Sequence, residues 1–107
     1  MEKPNLDYVK TLAGGESSFE ARLINIIRTE LPEEISVYNR HLDEGQLDLA
    51  AQSVHKLKHK ISILGMTKAY ELTVTYEEEL KIGNSGKADR FREVLDSMSR
   101  FINDLNL

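Results

Sequence analysis

The residues best suited to chemistry in this sequence are two histidines and a lysine. His55 and His59 stand four positions apart, with Lys58 between them. On a helix, residues three and four apart are neighbours on one face. Ala51, Gln52, His55, Lys58, His59 and Ser62 fall at −4, −3, 0, +3, +4 and +7 around His55, so a helix here gathers them into one strip. Lys56 and Lys60 add to a local positive balance, although the formal net charge of the chain is −4. Three readings fit the strip. In the first, these are solvated side chains on a helix surface with no chemistry. In the second, His55 and His59 bind a zinc-like ion at two points. That reading lacks a third acidic or histidine ligand nearby, and Lys58 repels a cation. In the third, a half-exposed neutral imidazole takes a phosphoryl group and Lys58 neutralises the phosphoryl oxygens. Imidazole is a nucleophile near neutral pH because much of it is unprotonated there.

An apolar seam positions the strip. Leu47, Ala50, Val54, Leu57, Ile61 and Leu64 recur at spacings of 3, 4, 3, 4 and 3, the pattern of an amphipathic helix. With the seam centred near Val54, His55 lies about 100° round the helix, at the border between core and water. Gly65 should close this helix. Three other long segments share the helical period. Phe19, Leu23, Ile26, Ile27, Leu31, Ile35, Tyr38 and Leu42 form one stripe. It opens on a Ser17/Glu20 capping box, and Pro32 predicts a kink or restart inside it. It should end near Asp43-Glu44-Gly45. Ala69, Tyr70, Thr73, Val74, Tyr76 and Leu80 give a weaker stripe after Thr67, a fair N-cap. Glu77-Glu78-Glu79 reads there as a solvated charge run. Phe91, Val94, Leu95, Met98, Phe101, Ile102 and Leu105 make the cleanest seam, with Ser85 as its cap and fraying expected over 103–107. Before these, Leu6, Val9 and Leu12 predict a short helix that lids the bundle and ends at Gly14. Long amphipathic helices with short connections pack as antiparallel neighbours. The expected fold is all-α: an up-down antiparallel four-helix bundle with a short N-terminal helix, one domain over 1–107.

Much other chemistry is excluded. The 107 residues contain no Cys, so thiolate catalysis, disulfides and Cys-based zinc sites are ruled out. There is no Gly-rich phosphate loop and no evident Ser-His-Asp order. No His has a Glu three residues before it, as di-metal bundles require. His41 reads as a surface or helix-end residue. The acidic balance argues against a nucleic-acid partner. No apolar run approaches the roughly 20 residues of a membrane span, and Met1-Glu2-Lys3-Pro4 lacks the order of a signal peptide. A cytoplasmic chain is expected, either free-standing or cut from a longer protein.

The stretch from His55 to Gly65 resembles the signature of the histidine-containing phosphotransfer (HPt) domain. That family reads His, any residue, Leu, Lys, usually a small residue, then Leu-Gly nine and ten positions after the His. His55, Leu57, Lys58, Leu64 and Gly65 all fall in place. Leu47, Ala50 and Ala51 upstream are similar to the family. So is Ser17-Ser18-Phe19 after Gly14-Gly15. One position departs from the pattern: His59 stands where a small residue lets the partner's aspartate come close. His59 must swing aside, dock against the partner, or supply a charge to the phosphate.

The resemblance implies a phosphoryl carrier in a two-component phosphorelay. His55 would accept phosphate through Nε2 from a receiver-domain aspartate and pass it to another receiver. Lys58 would stabilise the phosphohistidine, with Ala51, Gln52, His59 and Ser62 around it. The partners implied are receiver domains of response regulators or hybrid histidine kinases. Magnesium is expected on the receiver only, so the chain needs no cofactor or metal of its own. It would be a transfer intermediate, without a nucleotide site, and a monomer. Two alternatives stand beside this: a pseudo-carrier that binds a receiver or kinase without taking phosphate, and a His55/His59 metal-binding domain.

Overall fold

A computed structural model describes residues 2–105. Five helices make up the described chain: α1 Asp7–Ala13, α2 Ser17–Asp43, α3 Leu47–Ile63, α4 Thr67–Lys81 and α5 Ala88–Asp104. Contacts run α2 to α3, α3 to α4, α4 to α5 and α5 back to α2, while α1 packs on α2. Each long helix thus neighbours the next in the chain and the last returns to the first. This is the ring expected of an up-down bundle with short connections.

The seams predicted for α3 and α5 form the centre of the core. Ala50, Val54, Leu57, Ile61 and Leu64 of the α3 seam are fully buried, and α5 buries Phe91, Val94, Leu95, Met98 and Ile102. Tyr38 of α2, Tyr76 of α4 and Phe91 pack as tilted and edge-on rings with centroids 5.2 to 6.4 Å apart. The two buried phenols share a hydrogen bond of 2.6 Å, so neither hydroxyl is left unsatisfied.

Several local expectations fail for physical reasons. The helix α2 runs through Pro32 without a restart. Pro32 is exposed, so it lies on the solvent side of the helix. In the first half of α2, Ile24 is fully buried while Phe19 and Ile26 are exposed. On α1 the inward pair is Val9 and Ala13, and Leu12 is exposed. None of the predicted caps forms. Ser17 is the first residue of α2 after an N-cap Glu16, Met66 precedes α4, and Lys87 precedes α5; none of the three makes a side-chain cap bond. The α4 N-terminus is capped from far away: both Glu2 carboxylate oxygens accept the N–H groups of Lys68 and Ala69, at 3.0 and 2.9 Å. The end of α5 is held by Arg28, whose guanidinium donates to the carbonyls of Ile102 and Leu105. The helix α5 continues through Asp104, and part of the predicted fraying falls on residues 106–107, outside the described residues.

Gly65 closes α3 as predicted, and two constraints meet there. Its φ is +74°, a left-handed conformation that costs a side-chain residue about 1–2 kcal/mol. A Cβ would also stand 2.7 Å from the Asn5 side chain. Asn5 donates its backbone N–H to Leu64 at 2.8 Å. The segment before α1, not α1 itself, therefore straps the α3–α4 end of the bundle.

Candidate functional site

The α3 seam fixes the rotation of the helix, and that rotation sets His55 at the core boundary. Leu57 and Val54 are fully buried, while the His55 side chain is 53% exposed. Across the α3–α4 contact stands Glu77. The His55 Nδ1 lies 3.1 Å from Glu77 Oε2, and Lys58 Nζ donates to Glu77 Oε1 at 2.9 Å. Lys81 Nζ stands 3.7 Å from Oε2. One carboxylate thus ties together three basic side chains.

This overturns the reading of Glu77-Glu78-Glu79 as a solvated run. Glu77 is only 6% exposed. Glu78 is exposed and pairs with Lys81, and Glu79 pairs with Lys87. The signal was present in the spacing. Glu77 lies four after Thr73 and three before Leu80, both buried, so it shares the inward stripe of α4. That stripe is Ala69, Thr73, Tyr76, Glu77 and Leu80; the expected Tyr70 and Val74 are exposed instead.

The electrostatics follow from this arrangement. Burial pushes the Glu77 carboxyl up, but hydrogen bonds and charge from Lys58 and His55 outweigh it and hold the group below the ordinary glutamate range. Glu77 is therefore ionised near neutral pH and can only accept. The Nδ1 of His55 must donate. In the neutral ring Nε2 then carries the lone pair, since a hydrogen bond at one ring nitrogen sets the tautomer.

Beside the imidazole runs an open groove of about 580 Å³, lined by Asp48, Ala51, Gln52, His55, Lys56, Glu77 and Lys81. Ala51 is buried, and its small side chain leaves room at the wall. Gln52 lines the groove but, among the described residues, makes no hydrogen bond to the imidazole. Ser62 is not brought to this groove. It lines a separate small pocket with Gly65, Met66, Thr67 and Tyr70. His59 stands edge-to-face with His55, 5.2 Å between ring centroids. Among the described residues no three His, Cys, Asp or Glu side chains gather to hold a metal ion. Nor is any described helix long and apolar enough to cross a membrane.

The positive patch is smaller than the sequence suggests. Lys60 points the other way, toward α2, where it is buried and donates to Glu30 and Glu34 at 2.9 Å each. Burial alone would lower its pKa; the two carboxylates reverse this and raise it. Five positions from His55 place Lys60 about 140° round the helix, which the wheel foretold and the charge count obscured. His41, expected at a surface or helix end, is half-buried near the end of α2 and lies 3.3 Å from Ser53 Oγ through Nδ1.

No curated protein and no solved structure matches the chain at a significant level. The family model described as Hpt domain matches residues 22–106. The match begins within α2 and takes in α3, α4 and α5, with the whole His55–Glu77 cluster inside it. Hpt domains are phosphocarriers that work with receiver domains and histidine kinases in phosphorelays. By its sequence over four-fifths of its length, and with a helical bundle to match, this chain belongs to the Hpt domain family.

Proposed function

We propose that His55 is the phosphoacceptor of a phosphorelay carrier, taking a phosphoryl group from the aspartyl phosphate of one receiver domain and giving it to another. The observation that carries this reading is the His55 Nδ1 contact with the buried Glu77 carboxylate. It leaves Nε2 as the free nucleophile on a half-exposed ring. In the transfer, the Nε2 lone pair forms the N–P bond as the P–O bond to the receiver's aspartate breaks. The aspartate leaves as a carboxylate. The phosphorylated ring keeps its Nδ1 proton and carries positive charge, which Glu77 offsets at 3.1 Å. That cationic ring is also the better leaving group when a second aspartate attacks phosphorus. Glu77 thus supports both directions of the exchange.

Lys58 has two calls on it. At rest it is held by Glu77. A new phosphoryl group competes for it, because phosphoryl oxygens accept strong charge-assisted bonds. Lys81, at 3.7 Å, remains to neutralise Glu77 when Lys58 turns away. Little else is asked of the protein, since phosphoryl transfer rests on positioning and charge. On this reading magnesium belongs at the receiver's aspartate, and the carrier acts as a monomer without a cofactor.

The test is transfer from a panel of phosphorylated receiver domains to wild type, His55→Gln and His59→Gln, read by intact mass. The reading expects label on wild type and His59→Gln and none on His55→Gln. Receiver binding without label on wild type would instead establish a pseudo-carrier, a reading that the crowding of His55 by His59 favours.

A further inference from the structure

His59 is the member of the cluster that phosphoacceptance by His55 leaves without a task. Its ring stands perpendicular to that of His55, at 89° and 5.2 Å. A helical side chain leans toward the N-terminus and covers the turn before its own Cα. The His59 ring therefore overlies the turn that carries His55. A phosphoryl group added to a ring nitrogen of His55 extends outward from that ring, whose centre is 5.2 Å from the centre of the His59 ring. Both residues are exposed, so neither must break a buried contact to meet.

At rest most of the cations around them are held by carboxylates. On α3, Lys58 is held by Glu77 and Lys60 is turned to Glu30 and Glu34 of α2, while Lys56 lines the groove. On α4, Lys81 faces Glu77 and Glu78. Among the described residues His59 has no carboxylate partner.

We propose that His59 is a second contact for the phosphoryl group: a ring N–H of His59 donates to a phosphoryl oxygen carried on His55, so that a proton is taken up at His59 when the group arrives. This rests on His55 being the acceptor. A phosphoryl group brings between one and two negative charges, roughly 1.5–2 near neutral pH, and imidazole is the side chain able to answer with a proton in that range. Protonated His59 adds charge to this contact; as pH rises and that proton is lost, a neutral N–H donor remains and the contact weakens. It also screens one side of the phosphoryl group from water.

The test needs no partner protein. Wild type, His59→Gln and His59→Ala are loaded with phosphoramidate, whose P–N bond breaks with loss of ammonia as the bond to His55 forms. Long-range ¹H–¹⁵N spectra of the histidine rings are recorded before and after loading, and spontaneous loss of label is followed at several pH values. In wild type, loading at about pH 7.5 should convert the His59 ring from the neutral to the doubly protonated pattern, with His41 unchanged. Label should leave His59→Ala about three- to tenfold faster than wild type near pH 6.5, and the ratio should shrink at alkaline pH, where His59 keeps only a neutral donor. His59→Gln keeps a neutral donor, so its ratio to wild type should be smaller. An unchanged His59 ring on loading, or a ratio that does not vary with pH, overturns the proposal while His55 remains the acceptor. Failure of wild type to take label at His55 removes the acceptor reading first and this proposal with it.

Discussion

Replacing Glu77 by Gln separates the two jobs assigned to this carboxylate. The ionised Glu77 accepts from His55 Nδ1 at 3.1 Å and from Lys58 at 2.9 Å. A glutamine offers one accepting oxygen and one donating nitrogen. It cannot accept from both partners through separate oxygens, so its amide N–H faces either a lysine or the imidazole. If it faces His55, it donates to Nδ1, moves the ring proton to Nε2 and removes the nucleophilic lone pair. Carboxylates that orient a metal-binding histidine through its second nitrogen contribute about 10- to 100-fold, and the same orienting role sets the scale here. Release of Lys58 acts in the opposite direction, since an untied Lys58 reaches the phosphoryl group more easily. That gain is limited, because the glutamine oxygen still accepts from Lys58 and only the charge on the acceptor is lost, about 1 kcal/mol, which is under tenfold. The tautomer effect wins, and Glu77→Gln should slow transfer by about tenfold or more. Stability should fall by about 1–3 kcal/mol, as a charge-assisted bond is lost in a buried place. The pH profile carries a sign. The Glu77 carboxyl is held below its ordinary range by Lys58 and His55. Its contribution is complete above the unfolded value of about 4.3 and is lost as pH falls through the lower folded value. Acid unfolding of the variant should lack this component. The assay is quenched-flow transfer from a phosphorylated receiver, paired with urea unfolding and ring ¹H–¹⁵N spectra. Transfer at the wild-type rate, with Nδ1 still protonated in the variant, would refute the reasoning.

Other outcomes follow from the same contacts. Lys58→Ala should slow transfer by about tenfold or more while costing about 1 kcal/mol of stability, since Glu77 keeps His55 and Lys81; equal loss of rate and stability would count against a role for Lys58 in transfer. Lys60→Ala should do the reverse: it takes the partner from half-buried Glu34, one of whose oxygens already lacks a partner, and should cost about 1–3 kcal/mol in urea unfolding with transfer unchanged. Gly65→Ala should cost about 1–2 kcal/mol or more, from its left-handed φ and the 2.7 Å clash with Asn5. Hydrogen exchange should then show the Asn5 and Ala69 amides opening together, as the strap that holds them detaches.

Where a residue's fate was decided by its own helix, the sequence made it legible. The α3 and α5 seams needed only the 3.6-residue period, and the glycine stop at Gly65 needed only its conformational freedom. His55 and Lys58 stood out because they lie beside a strong seam. What stayed hidden was decided between elements. The cap of α4 is Glu2, 66 residues before the first N–H it accepts, and no local pattern announces that. Glu77 looked solvated among its acidic neighbours, because burial of a carboxylate becomes affordable only once His55 and Lys58 arrive from α3. Lys60 was counted with Lys56 and Lys58 as charge, although its angle on the helix already separated it from them. In each case a charged side chain was judged by its type before its direction.

The central claim concerns one atom. Wild-type protein labelled by a phosphorylated receiver domain should be studied by ³¹P and long-range ¹H–¹⁵N spectroscopy, which together identify the phosphorylated nitrogen. The account predicts a single phosphoryl group on Nε2 of His55, with the Nδ1 proton retained against Glu77. Label on Nδ1 of His55, on His59 or on His41, or its absence from every histidine, would contradict it.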